Sequence, residues 1–145
     1  MTISNFLDIL AINTYNGDKR AYSINPRSGY QKLDFEFGAD TEVHQSCSLQ
    51  WQNTFYVFGG KNEKRQVSMV NGNRLERKAT LDFDFWIGGC TVLNQKTIVL
   101  CFDYNETKLC RQSNNPIGSF TKLPKSYYTH HRARIASFNG ENKTY

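Results

Sequence analysis

The sequence predicts an all-β protein built from repeated units of four short antiparallel strands. The clearest strand is Thr54–Phe58, a β-branched and aromatic run that is closed by the glycine pair Gly59-Gly60. A run of the same shape, Thr97–Phe102, follows 43 residues later, and Ile9–Thr14 is a weaker copy upstream. A repeat of this length with four strands per unit is typical of the blades of a β-propeller.

Turn-forming residues divide the chain into units of roughly 1–43, 44–86 and 87–131, followed by a partial unit at 132–145. In the second unit, the Asn-Gly pair at Asn71-Gly72 is a strong hairpin signal. The strands predicted for this unit are Gln45–Leu49, Thr54–Phe58, Gln66–Val70 and a fourth within Leu75–Phe85.

The neighbouring units repeat this order of strands and turns. The third unit is predicted to contain Cys90–Leu93, Thr97–Phe102, Thr107–Arg111 and Phe120–Pro124. The first unit is predicted to contain Ile9–Thr14, Arg20–Ile24 and Tyr30–Phe35, and the last begins at Arg134–Phe138.

The second unit resembles the kelch repeat family of propeller blades. The resemblance is carried by the apolar run that ends in Gly59-Gly60, by the alternating strand Val67–Val70 and by the aromatic close Leu81-Asp82-Phe83. The flanking units depart from the family pattern, since Asn13-Thr14 and Phe102-Asp103 replace the glycine pair. The resemblance implies rigid blades that present loops for protein–protein binding.

Two complete blades with partial flanking blades are too few for a closed ring, which takes about four to eight. We therefore expect a propeller fragment or an open arc, with several arcs assembled into one ring as the alternative. An open arc leaves strand edges unpaired, so self-association through these edges is also expected.

The charge balance is basic, with 18 Lys and Arg against 13 Asp and Glu and a net charge of +5. The basic residues are dispersed, and the aromatic residues are expected in strand cores rather than on a base-stacking platform. This distribution argues against a nucleic-acid partner. No apolar run is long enough for a membrane helix, and we expect no membrane insertion.

The four cysteines allow a pair across one hairpin. A two-residue turn at Asn105-Glu106 would place Cys101 opposite Cys110, at a non-hydrogen-bonded position where side chains lie closest. A disulfide is geometrically allowed there, and two reduced core cysteines are the alternative. Cys47 and Cys90 occupy equivalent positions of adjacent units, and we expect them to be poor partners for one another.

Two triplets, Asn105-Glu106-Thr107 and Asn142-Lys143-Thr144, fit the N-glycosylation pattern. Together with the even number of cysteines, they favour an extracellular source over a cytoplasmic one. An extracellular structural or glycan-binding propeller is therefore an alternative to a protein-binding module.

The residues that could carry chemistry are few and dispersed. Adjacent His130 and His131 point to opposite sides of an extended segment, and with His44 they are interpreted as surface histidines. Asp82 and Asp84 share one strand face, but neither a nucleophile nor a phosphate-binding loop accompanies them. We predict no enzyme, catalytic residue, metal or cofactor; the alternative is a propeller enzyme whose catalytic residues lie outside this sequence.

The predicted partner site lies on the face that carries the loops between second and third strands and the loops between blades. These loops are charged and rich in tyrosine, whereas the turns at the opposite end consist of residues that simply make turns. An acidic protein or polyanion is the expected partner. The residues predicted to bind it are Lys61, Lys64, Arg65, Lys19, Arg20, Tyr127 and Tyr128.

Overall fold

The computed structural model describes residues 9–15 and 18–130, and within them the chain forms only β-strands, with no helix. No helix in this part of the chain could therefore cross a membrane. The strand predicted at 134–138 lies outside the described residues. In chain order the strands are β1 (Ile9–Tyr15), β2 (Asp18–Asn25), β3 (Gly29–Lys32), β4 (Glu36–Phe37), β5 (Cys47–Trp51), β6 (Thr54–Phe58), β7 (Gln66–Asn71), β8 (Arg74–Thr80), β9 (Gly89–Leu93), β10 (Thr97–Cys101), β11 (Cys110–Ser113) and β12 (Thr121–Lys122).

The strands form three sheets, which we call A, B and C. Sheet A has the order β1-β2-β3, sheet B the order β4-β8-β7-β6-β5, and sheet C the order β12-β11-β10-β9. All neighbouring strands run antiparallel except β4 and β8, which pair in parallel through Phe37 and Leu75. The runs β5–β8 and β9–β12 are thus four consecutive antiparallel strands each, and β4 adds a short fifth strand to sheet B.

The predicted strand Thr54–Phe58 is β6 with the same bounds, since its apolar run is enclosed by turns. The prediction of a strand at 107–111 is wrong at its start, because β11 begins only at Cys110. Instead of a two-residue turn, residues 102–109 form a longer loop with two backbone turns. In these turns the Glu106 amide donates to the Asp103 carbonyl (3.1 Å), and the Leu109 amide donates to the Glu106 carbonyl (3.0 Å).

Backbone hydrogen bonds recur in sheets B and C at a spacing close to that of the sequence repeat. In each of the runs β5–β8 and β9–β12, the amide just after the second strand donates to a carbonyl near the start of the third strand. Three further amides in each run donate to loop carbonyls at corresponding positions. The corresponding donor–acceptor pairs are Gly59–Gln66 and Phe102–Leu109, Lys61–His44 and Tyr104–Trp86, Phe85–Lys64 and His130–Thr107, and Leu81–Arg65 and Ser126–Lys108.

The left-handed backbone conformation recurs at the same places. Gly59 has φ 61° and Phe102, its counterpart 43 residues later, has φ 59°, although phenylalanine rarely adopts this region. Gln45 and Ile87 form a second such pair, with φ 59° and 57°. The architecture of the unit therefore imposes these conformations, whether or not a glycine is present.

The main core lies between sheets B and C. The Phe58 ring of β6 meets the Phe120 ring edge-on at 6.1 Å, and Phe83 lies 6.0 Å from Phe120. Alternation along residues 81–85 directs Leu81, Phe83 and Phe85 into this core. The sheets therefore share one apolar interior, which fixes the loops at their ends relative to one another.

Two disulfides use all four cysteines. Cys101 lies opposite Cys110 in the β10–β11 register, and the two are bonded. The expectation that Cys47 and Cys90 would not pair is wrong, because they form the second disulfide, with Cα atoms 5.9 Å apart. Equivalent positions come together here because β5 and β9, the first strands of the two four-strand runs, lie next to each other where sheets B and C meet.

Candidate functional site

The loops that emerge from one end of sheets B and C form a continuous surface, which we call the loop end. It includes the segment before β5, the β6–β7 loop, the segment after β8, the β10–β11 loop and the segment after β12. The corresponding ranges are 38–46, 59–65, 81–88, 102–109 and 123–130.

The loops are tied to one another by backbone hydrogen bonds. The Lys61 amide binds the His44 carbonyl (2.9 Å), and the Tyr104 amide binds the Trp86 carbonyl (3.1 Å). Each bond joins the loop between the second and third strands of a four-strand run to the segment that precedes the first strand of that run. The backbone segments of the loop end are therefore held in fixed relation to one another.

Two aromatic rings and an ammonium group lie together at the middle of the loop end. The Trp86 and Tyr104 rings lie 4.4 Å apart, and the Lys64 Nζ atom lies 5.0 Å from the Trp86 ring centroid. Tyr104 is 51% exposed, so one side of the stack faces solvent. A cation over an indole is held by the ring quadrupole, which orders the lysine without neutralising its charge.

The other two predicted basic residues of the β6–β7 loop differ in how they are engaged. Arg65 donates through Nε to Asp84 at 2.7 Å, and both groups are partly exposed, so its charge is largely compensated. Lys61 is exposed and makes no ion pair with any residue of the described ranges. Lys61 and Lys64 therefore supply the uncompensated charge of this loop.

Sheet A contributes Lys19 from the start of β2, whereas Arg20, the next residue of that strand, is engaged elsewhere. The Lys19 Nζ atom donates to the Thr41 carbonyl (2.9 Å), beside Glu42, which accepts from the Asn62 side chain (2.6 Å). Lys19 is thereby connected to the β6–β7 loop. Arg20 instead pairs with Asp18 on its own strand, and the hydrogen bond between them raises the pKa of the guanidinium.

The predicted tyrosine pair lies at the far side of the loop end. Tyr127 is 84% exposed and Tyr128 71%, and their rings meet edge-on at 4.9 Å. The Lys108 Nζ atom donates to the Tyr127 carbonyl (3.1 Å), which places another cation beside the pair. Apart from Arg20, the predicted residues thus lie along a row of connected loops or, for Lys19, in β2 with its side chain bound to that row.

A group of buried polar atoms lies beneath this row. Asp103 is 2% exposed, and burial raises the pKa of its carboxyl group, against the opposing effect of backbone hydrogen bonds from Asn105, Trp86 and Glu106. Within the described residues, Asp103 Oδ1, Trp86 Nε1 and Gln45 Oε1 have no hydrogen-bond partner. Buried polar atoms left in this way are unfavourable for folding.

The residues that could have carried catalysis or metal binding are separated. Asp84 pairs with Arg65, while Asp82 is exposed. His130 stacks on the Phe102 ring at 4.2 Å, His44 is exposed, and His131 lies outside the described residues. Among residues 9–15 and 18–130, no group of three or more His, Cys, Asp or Glu side chains is arranged to hold a metal ion.

Trp86, Tyr104 and Lys108 also belong to this surface, although the sequence did not lead us to predict them there. The expectation that the aromatic residues lie in strand cores is wrong for Trp86 and Tyr104, because both follow the ends of strands. The signal that could have identified Trp86 is its place just after the aromatic close of the second unit. The position of Tyr104 had no local signal, since its stacking depends on how the two sheets pack.

No protein-family model matches the chain, and no curated protein matches it in sequence. The geometry of the loop end is therefore the basis for assigning a function.

Proposed function

We propose that the chain forms blades of a kelch-like β-propeller and that its loop end binds an acidic surface of a protein partner. The repeated hydrogen-bond scheme of sheets B and C supports the blade assignment, since a propeller is built by repeating one sheet around an axis. Packing of the two sheets through a shared apolar core supports it further. A closed ring requires additional blades beyond these two sheets.

The single observation that carries the binding proposal is Lys64 over the Trp86 ring, which contacts the exposed Tyr104 ring, in the same loop as the unpaired Lys61. Aromatic side chains supply contact area with little conformational entropy to lose, and lysines steer an acidic partner toward them. Backbone bonds between the loops fix this arrangement before binding, which reduces the entropy lost on association.

The test uses the full chain with both disulfides formed and a poly-glutamate peptide as an acidic probe. Lys61→Glu/Lys64→Glu should weaken binding at least tenfold and flatten its dependence on salt. Lys96→Glu is the matched control, since Lys96 is exposed in the β9–β10 turn at the opposite end of sheet C. Because the double variant reverses two charges and the control one, a loss of binding free energy in Lys96→Glu half as large as that in the double variant would show that only net charge matters. Unchanged binding in the double variant would move the site elsewhere.

The exposed tyrosine pair favours a second candidate, a glycan-binding extracellular propeller. Flat rings at 84% and 71% exposure offer stacking surfaces to sugars, and two disulfides suit an oxidising compartment. A glycan array probed with the chain and with its Tyr127→Ala/Tyr128→Ala variant tests this. Binding that the tyrosine variant loses, and that Lys61→Glu/Lys64→Glu retains, would favour the second candidate over the first.

A further inference from the structure

The β10–β11 loop presents an asparagine at the tip of a fixed turn. Asn105 is exposed and follows Tyr104 in the turn that the Glu106 amide closes on the Asp103 carbonyl (3.1 Å). Its backbone amide faces the Asp103 carboxylate. Its side-chain amide makes no hydrogen bond to the described residues, so Nδ2 is directed to solvent and is available.

The loop around this asparagine is held from several sides. The Cys101–Cys110 disulfide closes its base, the Glu106 carboxylate pairs with the buried Arg111, and the Thr107 carbonyl accepts from the His130 amide (2.9 Å). A bulky group on Asn105 would therefore extend into solvent without any of these contacts having to break.

The equivalent asparagine of the preceding unit, Asn62, lacks both the acceptor triplet and a free side-chain amide. Asn62 stands 43 residues earlier, but Lys64 occupies the position of Thr107, so no acceptor triplet exists there. Its Nδ2 atom is also engaged, since it donates to Glu42 at 2.6 Å. Among the described residues, Asn105 is the only asparagine in an Asn-x-Ser/Thr triplet.

The two disulfides give an independent indication of the compartment. All four cysteines are bonded, which is typical of proteins that fold in an oxidising secretory lumen. Transfer of N-linked oligosaccharides also takes place along that route. The acceptor triplet and the chemistry of the cysteines thus point to the same environment.

We propose that Asn105 carries an N-linked oligosaccharide. In the transfer, Asn105 Nδ2 attacks C1 of an oligosaccharide carried on a lipid diphosphate, and the bond between C1 and the phosphate oxygen breaks. The lipid diphosphate is the leaving group, and the proton from Nδ2 passes to a base of the transferase. The Thr107 hydroxyl completes the acceptor triplet. Asn105 directly follows Tyr104, so the oligosaccharide would lie beside the proposed binding surface, but the assignment rests on the triplet and its turn and not on what that surface binds.

The test is secretion of the full chain from eukaryotic cells in an Asn142→Gln background, which removes the other triplet. Peptide-N-glycosidase should increase the electrophoretic mobility of the secreted chain by one step and convert Asn105 to aspartate in the mass spectrum of its peptide. Thr107→Ala and Asn105→Gln should abolish that step, whereas Thr107→Ser should retain it. The peptide that contains Asn62 should remain unmodified in every sample.

Secreted, disulfide-bonded chain with unmodified Asn105 would overturn the proposal. So would a glycan that persists in the Thr107→Ala variant, since the modification would then lie elsewhere. Because the mass spectrum is read on the chain with Asn105 and Thr107 intact, the result does not depend on whether a variant folds.

Discussion

The disulfide between Cys47 and Cys90 joins equivalent positions of two successive sheets, with Cα atoms 5.9 Å apart and a separation of 43 in the sequence. The bond connects β5 to β9, which lie against each other beside the shared core. It therefore fastens one sheet to the next, whereas the Cys101–Cys110 disulfide fastens two strands of a single hairpin.

Removing the disulfide between sheets should destabilise the protein more than removing the one within a hairpin. Cross-links that close loops of 43 and 9 residues lower the entropy of the unfolded chain. In the chain-entropy treatment this stabilises the folded state by about 4 and about 2.5 kcal/mol respectively. Urea unfolding of Cys47→Ser/Cys90→Ser and of Cys101→Ser/Cys110→Ser measures both losses. Equal losses would show that residual structure in the unfolded chain, rather than loop length, determines the effect.

Local features were predictable from the sequence where the signal is itself local. The bounds of β6 follow from an apolar run between turns, and Gly59-Gly60 indicated a close backbone approach. The group that approaches Gly59 is the carbonyl of Phe85, a residue 26 positions later in the sequence. Which group approaches there depends on the path of the chain after β8.

Contacts between sheets were not predictable in this way. The sequence repeat indicates that Cys47 and Cys90 are equivalent, but it contains no information on whether equivalent positions of adjacent sheets meet or stand apart. The stack of Lys64, Trp86 and Tyr104 was missed for the same reason, since its three members come from three different loops.

Replacing Gly59 with alanine should be strongly destabilising because of a clash and not only because of its backbone conformation. A Cβ atom at Gly59 would lie 1.7 Å from the Phe85 carbonyl oxygen, where neither group is flexible. Relief would require displacement of the 81–88 segment and loss of its bond to the Gly60 amide. We expect a decrease of about 4 kcal/mol or more in the free energy of unfolding.

Gly72→Ala is the matched control for this measurement. Gly72 has φ 60°, almost the same as the 61° of Gly59, but a Cβ atom there would meet nothing within 4 Å. The free energy of unfolding of Gly72→Ala should therefore decrease only by the cost of a side chain in the left-handed conformation, about 1–2 kcal/mol. Urea titrations that give equal losses for the two variants would rule out the clash as the main cause.

Arg111 and Phe83 should be energetically coupled across the two sheets. The Arg111 guanidinium is buried, pairs with Glu106 and lies 4.0 Å from the Phe83 ring centroid. A desolvated cation over an aromatic ring is stabilised by about 2 kcal/mol. A double-mutant cycle with Arg111→Leu and Phe83→Leu should return a coupling energy of about 1–2 kcal/mol.

A second cycle between Arg111→Leu and Glu106→Gln separates the ion pair from the ring contact. Glu106 is partly exposed, so solvent screens its attraction to the guanidinium. If the first cycle returns no coupling, Phe83 contributes to the core by packing alone.

Asp103 should make the stability of the protein fall as the pH rises from acidic toward neutral. Burial raises the pKa of its carboxyl group above the ordinary value of 3.8, so the folded state holds its proton more tightly than the unfolded state does. The stabilisation from that proton is fully present below pH 3.8 and is lost as the pH passes through the folded-state pKa.

Asp103→Asn removes this ionisation while keeping an oxygen acceptor for the surrounding backbone amides. Its stability relative to the natural chain should increase between pH 4 and pH 7, as measured by urea unfolding at each pH. Asp82→Asn, which removes an exposed carboxylate, is the reference series for general effects of charge. A stability difference between Asp103→Asn and the natural chain that stays constant across this range, or that decreases as the pH rises, would contradict the upward shift. An increase that Asp82→Asn does not share would identify Asp103 as the buried group that opposes folding at neutral pH.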